Sequence, residues 1–272
     1  MNDVMFAFLL TLFAGLATGA GGLIVLFSNK TNLRFLSACL SFSAGVMIYV
    51  SFVEIFFKAL ESLEYELGEE TGMLVGTLVF FGGIVFIALI DRFIPHYEEK
   101  EVLDNIDMRN FGKEGCLSPE EEKKLHRTGL SSAIAVALHN FPEGMVTFMA
   151  AMYDHALGIA IAVAIAIHNI PEGIAMASPI YYATGSKKKA LLLATASGLT
   201  EPLGGLLGFW VLSQVFGELL LGVAFASAAG IMVFIAIHQL LPAAQKYGDQ
   251  HIVMKNLFAG MAVMALSIVL LT

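Results

Sequence analysis

Eight runs of roughly 20 apolar residues, separated by polar clusters, occupy most of the chain: about 4–27, 33–57, 72–95, 128–152, 156–182, 189–213, 217–241 and 252–272. Coiled as a helix, a run of this length spans the hydrocarbon layer of a bilayer, and eight of them predict a polytopic bundle. The runs are continuously apolar instead of alternating every second residue, so helices are expected and a membrane barrel is not. Composition agrees, with 57% of the 272 residues hydrophobic and 14% charged, where a soluble domain carries roughly 25% charged residues. The expected fold is an all-α membrane protein, one transmembrane domain over residues 1–272 with the lipid bilayer as its first partner. A net charge of -8 argues against nucleic acid. Cys39 lies in an apolar run and Cys116 in a charged connection, so no structural disulfide is expected. The first run starts acidic and is too long for a signal peptide, which makes it a retained span.

Fourteen of the 15 lysines and arginines lie on the first, third, fifth and seventh connections, leaving Lys58 alone on the other side. The positive-inside rule then places those connections in the cytoplasm and both termini outside. A missed span would scramble this partition, so it also supports the count of eight. The third connection, 96–127, mixes acids and bases with Gly112, Gly115 and Pro119 and is expected to be a cytoplasmic loop. His96 and His126 near its ends are taken as surface histidines, not metal sensors.

Four acids fall well inside apolar runs, away from their ends: Glu54, Glu143, Glu172 and Glu201. Left unpaired at bilayer depth they would cost on the order of 10 kcal/mol together. No lysine or arginine shares those depths, so protons, water or bound cations must meet the charge. The fourth run contains His139-Asn140-Phe141-Pro142-Glu143-Gly144 and the fifth His168-Asn169-Ile170-Pro171-Glu172-Gly173. In each, His and Glu stand four apart, on one helix face. Each proline deprives a backbone carbonyl, of Leu138 or Ile167, of its usual donor and favours a kink. One such motif would suit a hydrogen bond between helices; two, 29 residues apart in runs of opposite direction, favour a metal site. Imidazole plus carboxylate suits zinc, iron, manganese or cobalt better than calcium or magnesium. Glu201, in SGLTEPLGG, is equally an interfacial acid when taken alone, and beside the paired motifs is expected to face the same cavity.

A second echo links Ala44-Gly45-Val46-Met47 in the second run with Ala229-Gly230-Ile231-Met232 in the seventh. Seven residues after each methionine comes a polar residue, Glu54 in one case and Gln239, beside His238, in the other. The two runs cross in opposite directions, so they are candidate inverted repeats, with Glu54 near the outer mouth and His238 and Gln239 near the inner one. Met47 is a candidate thioether ligand, although most of the 13 methionines must be core or lipid-facing. Small-residue faces such as Gly15 and Gly19 suit packing within the chain and a homodimer equally.

The paired HNFPEG and HNIPEG motifs, SGLTEPLGG, AGVM, the DRFIPH end of the third run and the ATGSKK turn together resemble the ZIP family of divalent-metal transporters, nearest to its bacterial branch. The resemblance runs from the first span to the last. It implies an eight-helix fold with a two-metal centre and a place in the bacterial inner membrane. His139, Glu143, His168 and Glu172 would form a first metal site, with Met47 as a further ligand. Asn140, Asn169 and Glu201 would form a second, bridged by Glu143 and Glu172. Glu54 would guide ions from outside and His238 would receive them towards the cytoplasm. Gln239 departs from the family pattern, where an acid is common, and the third connection lacks the family's frequent histidine richness.

The expected activity is uptake of divalent transition metals, zinc foremost and also iron, manganese, cobalt and cadmium, as cargo with no catalytic cofactor. No GxxxxGK[ST] motif is present, so ATP hydrolysed by this chain does not drive it. The rival reading is a membrane-embedded metal-dependent hydrolase or di-metal oxidase. It is disfavoured because Asn140 and Asn169 occupy the place of the zincin glutamate, and because di-iron bundles place Glu before His.

Overall fold

The computed structural model describes residues 2–27, 33–92, 119–184, 186–212 and 218–271. Eight helical rods follow one another along these residues. They are α1 (Asp3–Phe27); α2 (Leu33–Val50) continuing through Ser51–Ile55 into α3 (Phe56–Leu67); α4 (Glu69–Asp91); α5 (Pro119–Tyr153); α6 (His155–Thr184); α7 (Lys187–Gly198) with α8 (Thr200–Leu212); α9 (Glu218–Ile235) continuing through Ala236–Leu240 into α10 (Leu241–Tyr247); and α11 (Gln250–Leu271). All but the fourth rod carry, among the described residues, a stretch long and apolar enough to cross a membrane. The fourth carries the HNFPEG motif and packs between α6 and α8.

Rod boundaries depart from the sequence expectation where charged residues repeat at helical spacing. The second rod runs to Leu67 instead of 57, and only Gly68, at φ 81°, separates it from α4. Lys58, Glu61, Glu64 and Glu66 looked like a connection, but they form the polar face of an amphipathic helix, and Lys58 bonds Glu61 at 2.9 Å. The seventh rod likewise runs to Tyr247, six residues beyond 241, and α5 starts at Pro119, so 119–127 of the expected loop is helix. The rest of that loop, 96–118 with His96 and Cys116, lies outside the described residues, and His126 is described in its backbone alone.

The rods sort into two groups of four. α1, α5, α6 and α7–α8 pack on one another, as do α2–α3, α4, α9–α10 and α11; α2 on α6 and α9 on α5 join the groups. Where lipid surrounds the helices, close backbone approach and interhelical hydrogen bonds hold them. Asn169 donates to the Ala14 carbonyl at 2.9 Å, Ser197 to Ala133 at 2.9 Å, Thr200 to Ala137 at 3.0 Å and Ser37 to Ala244 at 2.7 Å. The outward faces are apolar: Leu78, Phe81, Val85, Phe86 and Leu89 line exposed α4, as lipid contact requires. Gly15 and Gly19 are used inside the chain, against the Gly198 carbonyl and Thr195, so they supply no free face for a second copy.

The echo between the second and seventh rods is also structural. Seven residues after Ala44 and after Ala229 the helix widens into a single π-turn, closed by Phe56 N–H to Ser51 O in one case and Leu241 N–H to Ala236 O in the other. The first π-turn contains Glu54 and the second His238 and Gln239. Such turns carry an extra residue and are frequent at functional positions.

Candidate metal centre

α5 and α6 form an antiparallel hairpin with Asp154 alone between them, its carboxylate capping α6 by accepting from Leu157 N–H at 2.8 Å. In such a hairpin, positions equidistant from the turn meet. His168 Nε2 lies 3.3 Å from Glu143 Oε2, and His139 Nδ1 lies 3.5 Å from Glu172 Oε1. Both pairs are centred on the same point of the chain, between His155 and Ala156. Each histidine therefore faces the glutamate of the other motif, not the one four residues along its own helix. Sequence spacing had suggested pairs within each motif.

The third carboxylate comes from α8. The sixth rod breaks at Leu199 and restarts at Thr200, so Glu201 sits in a first helical turn, where the dipole favours negative charge. Asn169 donates to Glu201 Oε1. With its amide turned as its neighbours require, Asn140 donates to Glu172 Oε2 at 3.3 Å and to the Val136 carbonyl at 3.2 Å. The motif glycines make this approach feasible. A Cβ on Gly144 would stand 1.9 Å from the Glu201 carbonyl oxygen, and one on Gly173 would stand 2.0 Å from that of Thr18.

The structure thus brings together His139, Asn140, Glu143, His168, Asn169, Glu172 and Glu201, all buried. Met47 is fully buried on α2, one turn beyond Ser43, whose hydroxyl lies 3.5 Å from the His168 carbonyl. Among the described residues eight buried side-chain polar atoms have no hydrogen-bond partner, and six belong to this cluster: Nδ1 of His139 and His168, Oδ1 of Asn169, and one carboxylate oxygen each of Glu143, Glu172 and Glu201. That concentration of orphaned donors and acceptors is costly unless an ion takes them up. No three His, Cys, Asp or Glu side chains among the described residues close on one point; the donors stand as pairs. Two ligands 2.0–2.1 Å from a tetrahedral ion are about 3.3 Å apart, which is the separation the two His–Glu pairs show.

Glu54, His238 and Gln239 stand apart from this cluster, in the two π-turns. Glu54 is buried, whereas the His238 side chain is 57% exposed. Sequence reading missed Asp91, at the end of α4. Its Oδ2 lies 3.4 Å from His238 Nε2 and its Oδ1 accepts from Gln239 Nε2 at 2.6 Å. The acid absent at position 239 is therefore supplied from a neighbouring rod. In the sequence it stands only as the first residue of DRFIPH, with no periodicity that links it to His238. Asp91→Asn is expected to weaken cation binding beside His238 about tenfold, the scale of one lost charged partner; metal titration of the variant checks this.

An all-helical bundle that buries histidines and carboxylates without lysine or arginine at its centre defines an integral, multi-pass membrane carrier of cations. The family model described as ZIP Zinc transporter matches residues 4–268, and the chain belongs to that family. It is 52% identical over 271 residues to a protein of Chlorobium chlorochromatii named Zinc transporter ZupT, covering 100% of this chain and 99% of the relative. Proteins of the same name from Clostridium perfringens and Oceanobacillus iheyensis are each 49% identical, covering 99% and 100% of this chain and 97% and 100% of theirs. The family is one of transporters, and the hydrolase and oxidase readings fall with that assignment.

Proposed function

We propose that the chain moves divalent transition metals through the α5–α6–α8 centre into the cytoplasm, zinc foremost, with iron, manganese, cobalt and cadmium as further cargo. The observation that carries this reading is the crossed His–Glu arrangement, which among the described residues is buried without a lysine or arginine partner and holds most of the orphaned polar atoms. Neutral imidazoles and ionised carboxylates replace the ion's water. His139, Glu143, His168, Glu172 and the Met47 thioether serve one ion, and Asn140, Asn169 and Glu201 a second that Glu143 and Glu172 bridge. Three carboxylates offset most of the charge of two divalent ions. Apart from Met47 on α2, the centre's donors lie on the first group of rods, while Glu54, His238, Gln239 and Asp91 lie with Met47 on the second. Movement of one group against the other exposes the ligands to Glu54 on one side and to Asp91 and His238 on the other.

Relatives named as zinc transporters support zinc; the mixed nitrogen and oxygen donors support the other metals. The lysine and arginine distribution supports termini outside a bacterial inner membrane. A homodimer would have to use faces other than those of Gly15 and Gly19.

The test is zinc influx into proteoliposomes of the purified chain, with a zinc-sensitive dye inside. Saturable influx, competed by cadmium and iron, is expected; binding without flux overturns the reading. Protons compete for the same imidazole and carboxylate atoms, so zinc affinity is expected to fall as pH is lowered. With both histidines in one shell the fall approaches about 100-fold per pH unit at its steepest. Zinc titration at several pH values measures this slope, and a flat profile contradicts histidine ligation.

A further inference from the structure

Two of the eight partnerless buried polar atoms lie outside the cluster, Thr18 Oγ1 and Ser51 Oγ. A helical hydroxyl ordinarily bonds the carbonyl four residues back, as Thr11, Ser41, Thr77, Thr147, Thr184 and Thr195 all do here. Ser51 does not, although it is fully buried and preceded by a complete α-helical turn. Thr18 is packed among the backbones of Gly173 and Gly198, on a helix with no acid after Asp3. The surroundings of Ser51 differ. It opens the first π-turn, four residues after Met47 and three before Glu54, and all three are buried. A spacing of four puts the Met47 thioether and the Ser51 hydroxyl on one face of the rod, and Glu54 lies within the wider turn that Ser51 opens. Ser43, four residues before Met47, extends that face to the His168 carbonyl. The corresponding position of the other π-turn is Ala236, so this hydroxyl has no counterpart on the Asp91 side.

We infer that Ser51 is a transport ligand: its hydroxyl oxygen takes a place in the shell of the dehydrating divalent ion between Glu54 and the Met47–His168 wall of the centre. An ion leaving water must find oxygens in sequence, and among the described residues Ser51 Oγ is a fully buried oxygen beside Met47 with no hydrogen-bond partner. The inference rests on the transport reading above and adds to it a residue that sets affinity and metal preference.

The experiment compares zinc and cadmium influx by the full chain, Ser51→Ala, Ser51→Thr and Ser51→Cys in proteoliposomes, with thermal unfolding of each. Ser51→Ala is expected to raise KM for zinc about three- to tenfold with Vmax within about twofold, and Ser51→Thr to keep the parental KM. Ser51→Cys is expected to shift the cadmium-to-zinc ratio at least about fivefold towards cadmium, the softer ion. A merely structural orphan predicts the reverse of the alanine result, because deleting it leaves KM unchanged and Tm equal or higher. Unchanged KM in Ser51→Ala together with an unchanged metal ratio in Ser51→Cys overturns the inference. Should one variant fail to fold, the other still decides. Absence of influx by the unsubstituted chain is a separate result, which overturns the transport reading and this inference with it.

Discussion

Glu172→Ala and His168→Ala are each expected to lower zinc influx at least about 100-fold, equivalent to about 2.7 kcal/mol of lost ion stabilisation. Both side chains are buried and each is one half of a His–Glu pair. Deleting one half leaves the other buried and unpaired, which costs stability, so unfolding in detergent is measured beside influx, and Glu172→Gln and His168→Gln, which keep polar side chains of similar size, are expected to lose flux with the fold retained. The crossed geometry sharpens the expectation. Glu172 partners His139 at 3.5 Å, not His168. In a double-mutant cycle on zinc affinity, His139→Ala with Glu172→Ala should therefore couple more strongly than His168→Ala with Glu172→Ala. Stronger coupling within the second motif would show that its two ligands act on their own helix and would contradict the hairpin register.

Gly144→Ala is expected to be nearly as severe by a different route. The new methyl group would begin 1.9 Å from the Glu201 carbonyl oxygen. Backbone occupies that place, so α8 must withdraw from α5 by more than an ångström, taking Glu201 and its bond to Asn169 with it. Overpacking of this kind costs about 1–3 kcal/mol of stability, and misplacing a ligand by an ångström can cost about 100-fold in rate. Gly82→Ala is the control, since a Cβ there meets nothing within 4 Å. Thermal unfolding and influx measured side by side should separate the two positions; equal behaviour would remove the close α5–α8 contact as a requirement.

The rods and the donor set were legible because each rests on a local rule. Apolar run length sets the spans, and the residues gathered around His139 and His168 are those the repeated motif singles out. The crossed pairing was implicit in the 29-residue repeat once the hairpin turn is placed at Asp154, but spacing within each motif is the stronger signal when one helix is considered at a time. The extension of the second rod to Leu67 was hidden because charge looks the same on a solvated helix face and in a connection. Asp91 was not legible because its significance depends on which rod lies beside the second π-turn. That is a long-range fact, and no periodicity in α4 encodes it. Ser51 was hidden for a related reason: a serine in a helix is ordinary until its missing partner is seen.

The crossed pairs make the centre a chemical palindrome. Followed from the fourth span or from the fifth, it presents histidine against glutamate and then glutamate against histidine. An ion held between them meets the same donors whichever bundle face admitted it, so the centre does not rectify. Net direction must come from the concentrations on the two sides, while the unlike π-turns, one offering Ser51 and Glu54 and the other His238 and Gln239 beside Asp91, set how fast ions enter and leave on each side. Reversing the zinc gradient across a liposome should reverse the flux through the same residues.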